Sequence, residues 1–292
     1  MQFSKAIQGF IFYLNGANYS SVTIQYYEGN LRRIQKALGD PPVETITADQ
    51  LREFLAGIPH SNATKQVYWK IIRSFYKWAS VEIGIPDASA NIPAPVAVSK
   101  AIIPFSQQDI QALLKSTKSK RNRAMIMFLL DSGVRVSEMC RLTILDVDLT
   151  TGMVKINPFQ TGKKSRPRVV YLGSTARRYL WQYISSRPDT EYANAPLFAT
   201  HTGKPLNRCA VRDILRRLAS TANVPNVHPH RFRHTFAIQY LRNGGDVFTL
   251  QRLLGHSSLH MVRHYLNLSD TDTQASHSSA ISARKMPRLS PK

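Results

Sequence analysis

Pro229-His230-Arg231-Phe232-Arg233-His234-Thr235-Phe236-Ala237, then Leu253-Leu254-Gly255-His256-Ser257-Ser258, then Tyr265, is the stretch on which the reading of this chain turns. Between His230 and Tyr265 the only acidic residue is Asp246. Two-metal phosphodiester chemistry needs convergent carboxylates to clamp its ions, and this segment has none to spare. Histidines, an arginine and a late tyrosine form instead a set that can hold a phosphodiester and attack it with a phenol. His230 and Arg233 stand three apart on an expected helix and share a face. Pro229 suits the first helical position, where free N–H groups point at an anion. Gly255 can end the next helix and turn His256 out of the core.

The chemistry explains the residue types. A phosphodiester under attack gathers negative charge on two non-bridging oxygens, which cationic forks must meet. Arginine is planar, bidentate and always charged. The leaving 5′ oxygen needs a proton and the nucleophile must lose one. A tyrosine nucleophile keeps the bond energy in a phosphotyrosine, so the strand can be rejoined without ATP. Taken singly, each residue has a plainer reading: an amphipathic-helix His and Arg, a helix-end His, a core or rim Tyr. Their order and spacing together carry the inference. His228, His230 and His234 also raise zinc, because His230 and His234 are four apart. No acidic residue sits between them as in the H-E-x-x-H pattern, and Arg233 would crowd a cation, so neither metal nor cofactor is expected.

Working outward, the chain has 292 residues and a formal charge of +21, which suits a polyanionic partner. Residues 1–100 carry 10 Lys+Arg against 7 Asp+Glu, whereas residues 101–292 carry 29 against 11. The basic excess therefore lies with the motif-bearing part. Cys140 and Cys209 fall in apolar helical patterns and read as packing residues of a reducing compartment. Met1–Phe10 lacks the basic start and apolar run of a leader, and Ala124–Leu130 is far too short to span a membrane. A cytoplasmic, nucleoid-associated protein with no membrane partner is expected.

The first 85 residues read as a bundle of about four helices. Ile24, Tyr27, Leu31, Ile34 and Leu38 recur at helical steps, Thr47 and Gln50 form a capping box, and Asn62–Gly84 is a long helix. Lys70, Arg73 and Lys77 form a basic stripe there, explained equally by DNA or by solvent. Pro86, Pro93, Pro95 and Pro104 mark residues 86–104 as an extended linker. A second part, 105–268, opens with Ser106 as a helix cap. It continues with helices over Arg123–Leu130 and Arg135–Leu142, with Gly133 between them. Val147–Pro158 and Arg166–Leu172 read as a hairpin with a basic loop. Helices follow at Thr175–Ser185, Asn207–Thr221, His230–Arg242, Val247–Leu254 and Leu259–Leu268. Residues 269–292 form a polar, basic tail.

With Ser132-Gly133-Val134-Arg135-Val136-Ser137-Glu138 upstream, the quoted motifs resemble the tyrosine recombinase (phage integrase, Xer, Cre) superfamily. The resemblance spans about Ser106 to Leu268. It implies a mainly α fold with a small antiparallel sheet in the catalytic domain, and a helical core-binding domain before it. The two domains would close on DNA as a C-shaped clamp. It implies that Arg135 and Arg233 clamp the non-bridging oxygens, His230 and His256 donate hydrogen bonds or move protons, and Tyr265 attacks. Glu138 would support the site from beneath. The family's lysine, in the hairpin loop, would protonate the leaving oxygen. Counting back from Val169-Val170-Tyr171-Leu172-Gly173 puts it at Lys163, with Lys164 as the alternative. Tyr171 stands where many relatives carry proline. Lys164 and Arg166, with Lys70, Arg73 and Lys77, are candidate DNA contacts. The implied activity is site-specific recombination of double-stranded DNA through a 3′-phosphotyrosine, by a homotetramer on paired sites, with accessory proteins optional. Type IB topoisomerase chemistry and a non-catalytic DNA-binding module are the alternatives. About 100 residues before the catalytic part leave little room for a further arm-binding domain.

Overall fold

Side-chain caps start the second and third helices of the chain. In this computed structural model, which describes residues 1–59, 61–96, 102–157, 167–188, 194–255 and Tyr265, the chain falls into two compact units, Met1–Lys100 and Ala101–Lys292. The first holds α1 (Phe3–Gly16), α2 (Ser21–Leu38), α3 (Ala48–Gly57) and α4 (Asn62–Glu82). Ser20 accepts the Thr23 N–H at the start of α2, and Gly39, at φ 78°, ends it. Thr47 and Gln50 make the reciprocal capping box of α3, satisfying two donors that a helix start leaves free. The core is aromatic. Phe3 and Phe10 from α1 meet Phe75 from α4 edge-on, at centroid distances of 5.3 and 5.6 Å, the geometry that ring quadrupoles favour.

Prolines keep the stretch after α4 out of regular structure without keeping it off the protein. Ile92 is buried in the first core. The Trp69 indole donates to its carbonyl at 2.9 Å, and Asn62 donates to Val96 O at 2.9 Å. Further along, the carbonyls of Ile103 and Pro104 accept from Arg231 in the second unit.

The second unit contains α5 (Gln107–Lys115), α6 (Lys120–Ser132), α7 (Val136–Met139), β1 (Met153–Ile156), β2 (Arg168–Tyr171), α8 (Ser174–Ile184), α9 (Arg208–Ala222), α10 (Pro229–Arg242) and α11 (Val247–Leu254). The molecule is thus mainly helical, with one antiparallel pair running from Met153↔Tyr171 to Ile156↔Arg168. α6 is the central helix. It buries Ala124, Met125, Ile126, Phe128, Leu129 and Leu130 and packs on α8, α10 and β2. A helix that is apolar nearly all round belongs inside, and α6 is the platform beneath α10.

Two elements depart most from the sequence expectation. The strand expected from Val147 begins only at Met153. Asp148 makes a tight turn by accepting from the N–H of Thr150 at 2.8 Å and the hydroxyl of Thr151 at 2.7 Å. Side chains of this type compete with the sheet for backbone partners, and the β-branched run hid that turn. The helix expected over Arg135–Leu142 is one turn, Val136–Met139, with Arg135 as its N-cap. The hairpin's basic loop, the helix expected over Leu259–Leu268 and the tail lie outside the described residues, apart from Tyr265.

Gly133 ends α6 at φ 59°, and a Cβ there would collide with the Phe236 ring of α10. Both the left-handed backbone and the close approach require glycine. Gly133→Ala should therefore lower stability by more than about 1 kcal/mol, read as a fall in the midpoint of thermal or urea unfolding. An unchanged midpoint would contradict this packing.

Candidate active site

Helix α11 ends at a left-handed Gly255, at φ 65°, leaving its last carbonyls without partners inside the helix. Three arginines from three different elements take them in turn. Arg168 Nε, at the start of β2, donates to Leu253 O at 2.7 Å. One terminal nitrogen of Arg233, on α10, donates to Leu254 O at 2.7 Å. One terminal nitrogen of Arg135, before α7, donates to Gly255 O at 3.3 Å. A helix C-terminus carries partial negative charge, so it is a natural seat for guanidinium groups. Glycine at 255 also leaves room: a Cβ there would lie 3.1 to 3.3 Å from the Arg168 guanidinium group and Cδ.

Glu138 is the counter-charge. Its carboxylate takes a two-pronged contact from Arg168 at 3.0 and 2.7 Å, the Arg135 guanidinium at 3.1 Å and the Arg135 backbone N–H at 2.8 Å. Burial alone would push this carboxyl up, but the hydrogen bonds and charge of Arg168, joined by Arg135, outweigh it and hold it down at about 2. One carboxylate thus stands among three guanidinium groups, and the site keeps a cationic surplus. Exposure separates their roles. The Arg168 side chain is 7% exposed, whereas that of Arg135 is 32% exposed and reaches the surface.

Arg233 is buried, and its second arm donates to Gly133 O at 2.8 Å. Desolvation, and next the like charge of Arg135, pull it down to about 9, with Glu138 and Tyr265 opposing. It remains a cation at neutral pH. His228 caps α10, its Nδ1 accepting the Arg231 N–H at 3.3 Å, and Pro229 occupies the first turn. Arg231, two residues from Arg233, points the other way. It binds the carbonyls of Ile103, Pro104 and Pro225 and stacks 4.1 Å from the Phe105 ring. Adjacent arginines of one helix therefore serve the fold and the site separately.

Tyr265 is buried against Ala237, Ile238, Leu250 and Leu254. Its hydroxyl lies 2.8 Å from Nδ1 of His234. Desolvation raises the phenol above its usual range, while Arg233 and Arg135 pull the other way. His234 is held down at about 4, by desolvation first and then by His230, His228 and Arg233. His230 is also lowered, by desolvation and then by Arg233 and Arg135. Burial and neighbouring cations thus disfavour the charged form of both imidazoles.

Arg135, Glu138, His230, Arg233 and Tyr265 therefore converge in the second unit. Lys163, Lys164, Arg166 and His256 lie outside the described residues. Lys70, Arg73 and Lys77 belong to the first unit, where Lys70 and Lys77 are exposed and Arg73 pairs with Asp87 at 3.4 Å. Two residues escaped the sequence reading. Arg168 looked like an ordinary strand residue, and only its isolation beside apolar Val169 and Val170 hinted at a buried partner. His234 entered only as a spacing partner of His230.

Removing one member of a buried ion pair strands the other. Glu138→Gln should cost about 3 to 5 kcal/mol, measured by urea unfolding at neutral pH. The sign with pH follows from the lowered carboxyl. The stability Glu138 contributes is complete above its unfolded value of 4.5 and is lost as pH falls towards about 2. Wild-type and Glu138→Gln stabilities should converge over that window; a constant gap would refute the linkage.

Residues 104–272 match the phage integrase family, and residues 7–82 match the phage integrase N-terminal SAM-like domain. The tyrosine recombinase XerC of Pelobacter propionicus is 32% identical over 269 residues, which cover 86% of either chain. XerD of Oceanobacillus iheyensis is 34% identical over 219 residues, covering 72% of each. The integrase of transposon Tn1549, in complex with a circular intermediate DNA, superposes with a TM-score of 0.78 at 19% identity. That match covers 91% of this chain and 95% of the other. A lambda integrase tetramer bound to a Holliday junction gives 0.71 at 18% identity, covering 88% and 78%. At such identities these two likenesses speak for the fold. The match to the family along more than half of the sequence, and the Xer relatives along most of it, mean that this chain belongs to the phage integrase family of tyrosine recombinases.

Proposed function

We propose that this protein is a site-specific DNA recombinase that breaks and rejoins duplex DNA through a 3′-phosphotyrosine, without metal or ATP. The observation that carries the reading is that Arg135 and Arg233 are both anchored at the C-terminal end of α11, the helix whose Leu254 packs with the buried Tyr265, all in one unit of one chain. Arg135 and Arg233 meet the non-bridging oxygens of the scissile phosphate. Their positions are set in advance by carbonyls and Glu138, so little reorganisation is needed as charge develops. His230 and His256 assist by hydrogen bonding. Lys163, with Lys164 as the alternative, protonates the leaving 5′ oxygen, and the freed hydroxyl attacks the partner strand.

The first unit and the catalytic unit, joined by the linker of residues 86–104, both bind the duplex. Lys70, Arg73, Lys77, Lys164 and Arg166 contact phosphates. Affinity then falls steeply with salt, as counterion release demands. Four protomers join two sites, and the protein works at the nucleoid.

The test starts from duplexes that the full-length protein selects from a randomised library, nicked so that cleavage is trapped. Tyr265→Phe should bind these duplexes normally and form no covalent complex; covalent trapping by that variant would sink the assignment. Arg135→Ala and Arg233→Ala should each slow trapping on the order of 10²-fold or more. Near-wild-type trapping by either would remove the clamp from the mechanism.

A further inference from the structure

The family motifs account for His230 and His256, yet among the described residues the imidazole that touches the phenol is His234. Its Nδ1 lies 2.8 Å from Tyr265 Oη, and the ring centroids are 5.5 Å apart. His230, one turn earlier on α10, has its ring centroid 6.4 Å from that of His234. Resting on the recombinase reading above, we infer that His234 is a catalytic residue: the general base that takes the phenolic proton of Tyr265 during strand cleavage and returns it during rejoining.

The geometry supports this in three ways. The contact is already at the distance proton transfer requires. It is part-buried, with the Tyr265 ring packed in the apolar cluster of Leu250, Leu254, Ala237 and Ile238, which limits the access of solvent to the proton. The imidazole is also neutral, because desolvation and the neighbouring His230, His228 and Arg233 disfavour its cation. With hydrogen on Nε2, its Nδ1 lone pair faces the phenol. So strongly lowered a base is weak in the DNA-free site. A phosphodiester bound by Arg135 and Arg233 brings negative charge that offsets those cations and raises its basicity at the moment of use.

The step balances as follows. The Tyr265 O–H bond breaks and its proton passes to Nδ1 of His234. The Oη–P bond forms, the P–O5′ bond breaks, and the leaving oxygen takes its proton from the lysine assigned above. In rejoining, a 5′ hydroxyl attacks the phosphotyrosine and gives its proton back to that lysine. The O5′–P bond forms, the Oη–P bond breaks, and the His234 imidazolium returns its proton to Oη as the phenol leaves. Base at the nucleophile and acid at the leaving group are thus different residues, on α10 and in the hairpin loop.

His234→Asn separates a base from a mere tether, because the Asn carbonyl oxygen can replace Nδ1 as a hydrogen-bond acceptor but cannot take the proton. On the trapped-cleavage duplexes it should bind as wild type, melt near the wild-type temperature and form covalent complex about 10²-fold more slowly. A second substrate carries sulfur at the scissile 5′ position, and its thiolate leaves without being protonated. The His234→Asn defect should persist on it, whereas a Lys163 defect should be relieved. Wild-type rates for His234→Asn overturn the inference, and so does rescue by sulfur, which would move His234 to the leaving-group side. The unmutated protein supplies an independent check, whatever the variant's folding. The ¹⁵N resonance of His234 Nδ1 should report no attached hydrogen in the free protein, and one already attached would exclude the role. Absence of covalent trapping by wild type itself would instead refute the recombinase reading.

Discussion

Everything in the catalytic unit is organised around the C-terminal end of one helix. The last carbonyls of α11 are in excess by the geometry of any helix, and here each of three successive ones, Leu253, Leu254 and Gly255, is taken by a different arginine. That single exchange satisfies the backbone and aims cations brought by β2, α10 and the turn before α7. It also ties the stretch leading to His256 and Tyr265 to the platform made by α6. Carbonyl dipoles help to hold all three guanidinium groups, and Arg168 and Arg135 share one carboxylate, that of Glu138, so the group is oriented without being fully neutralised.

Glu138 shows why a single acid suffices. The Arg168 side chain is nearly inaccessible, where an unpaired charge would be costly, and its fork closes on Glu138. Arg135 shares the same carboxylate through one nitrogen and the backbone, which leaves much of its surface open. The carboxylate is thus spent mainly on the buried arginine and steadies the exposed one. A second acid would have cancelled the charge that a phosphodiester needs. The sequence-level shortage of acids between His230 and Tyr265 is the trace of that requirement.

Much of the fold was legible because its signals are local. Thr47 with Gln50, Ser106, and the glycines 133 and 255 state helix ends through side-chain reach or left-handed backbone. Such contacts span at most four residues. The turn at Asp148 was missed because Val147, Val154 and Ile156 follow a strand pattern that masks a competing side-chain hydrogen bond. Arg168 was missed for a different reason: its partners, Glu138 and Leu253, lie 30 and 85 residues away. Nothing in a strand's own composition records that distance.

From sequence alone came the helical class, the sheet, the family and the roster of Arg135, Glu138, His230, Arg233 and Tyr265, since these rest on periodicity, caps and ordered motifs. Tertiary structure alone decided which arginine is sealed and which is open, and that Arg231 serves the fold while Arg233 serves the site. It alone set His234, rather than His230, against the phenol. Those outcomes depend on burial and on partners brought from distant segments. Both are properties of the folded packing and not of any run of residues.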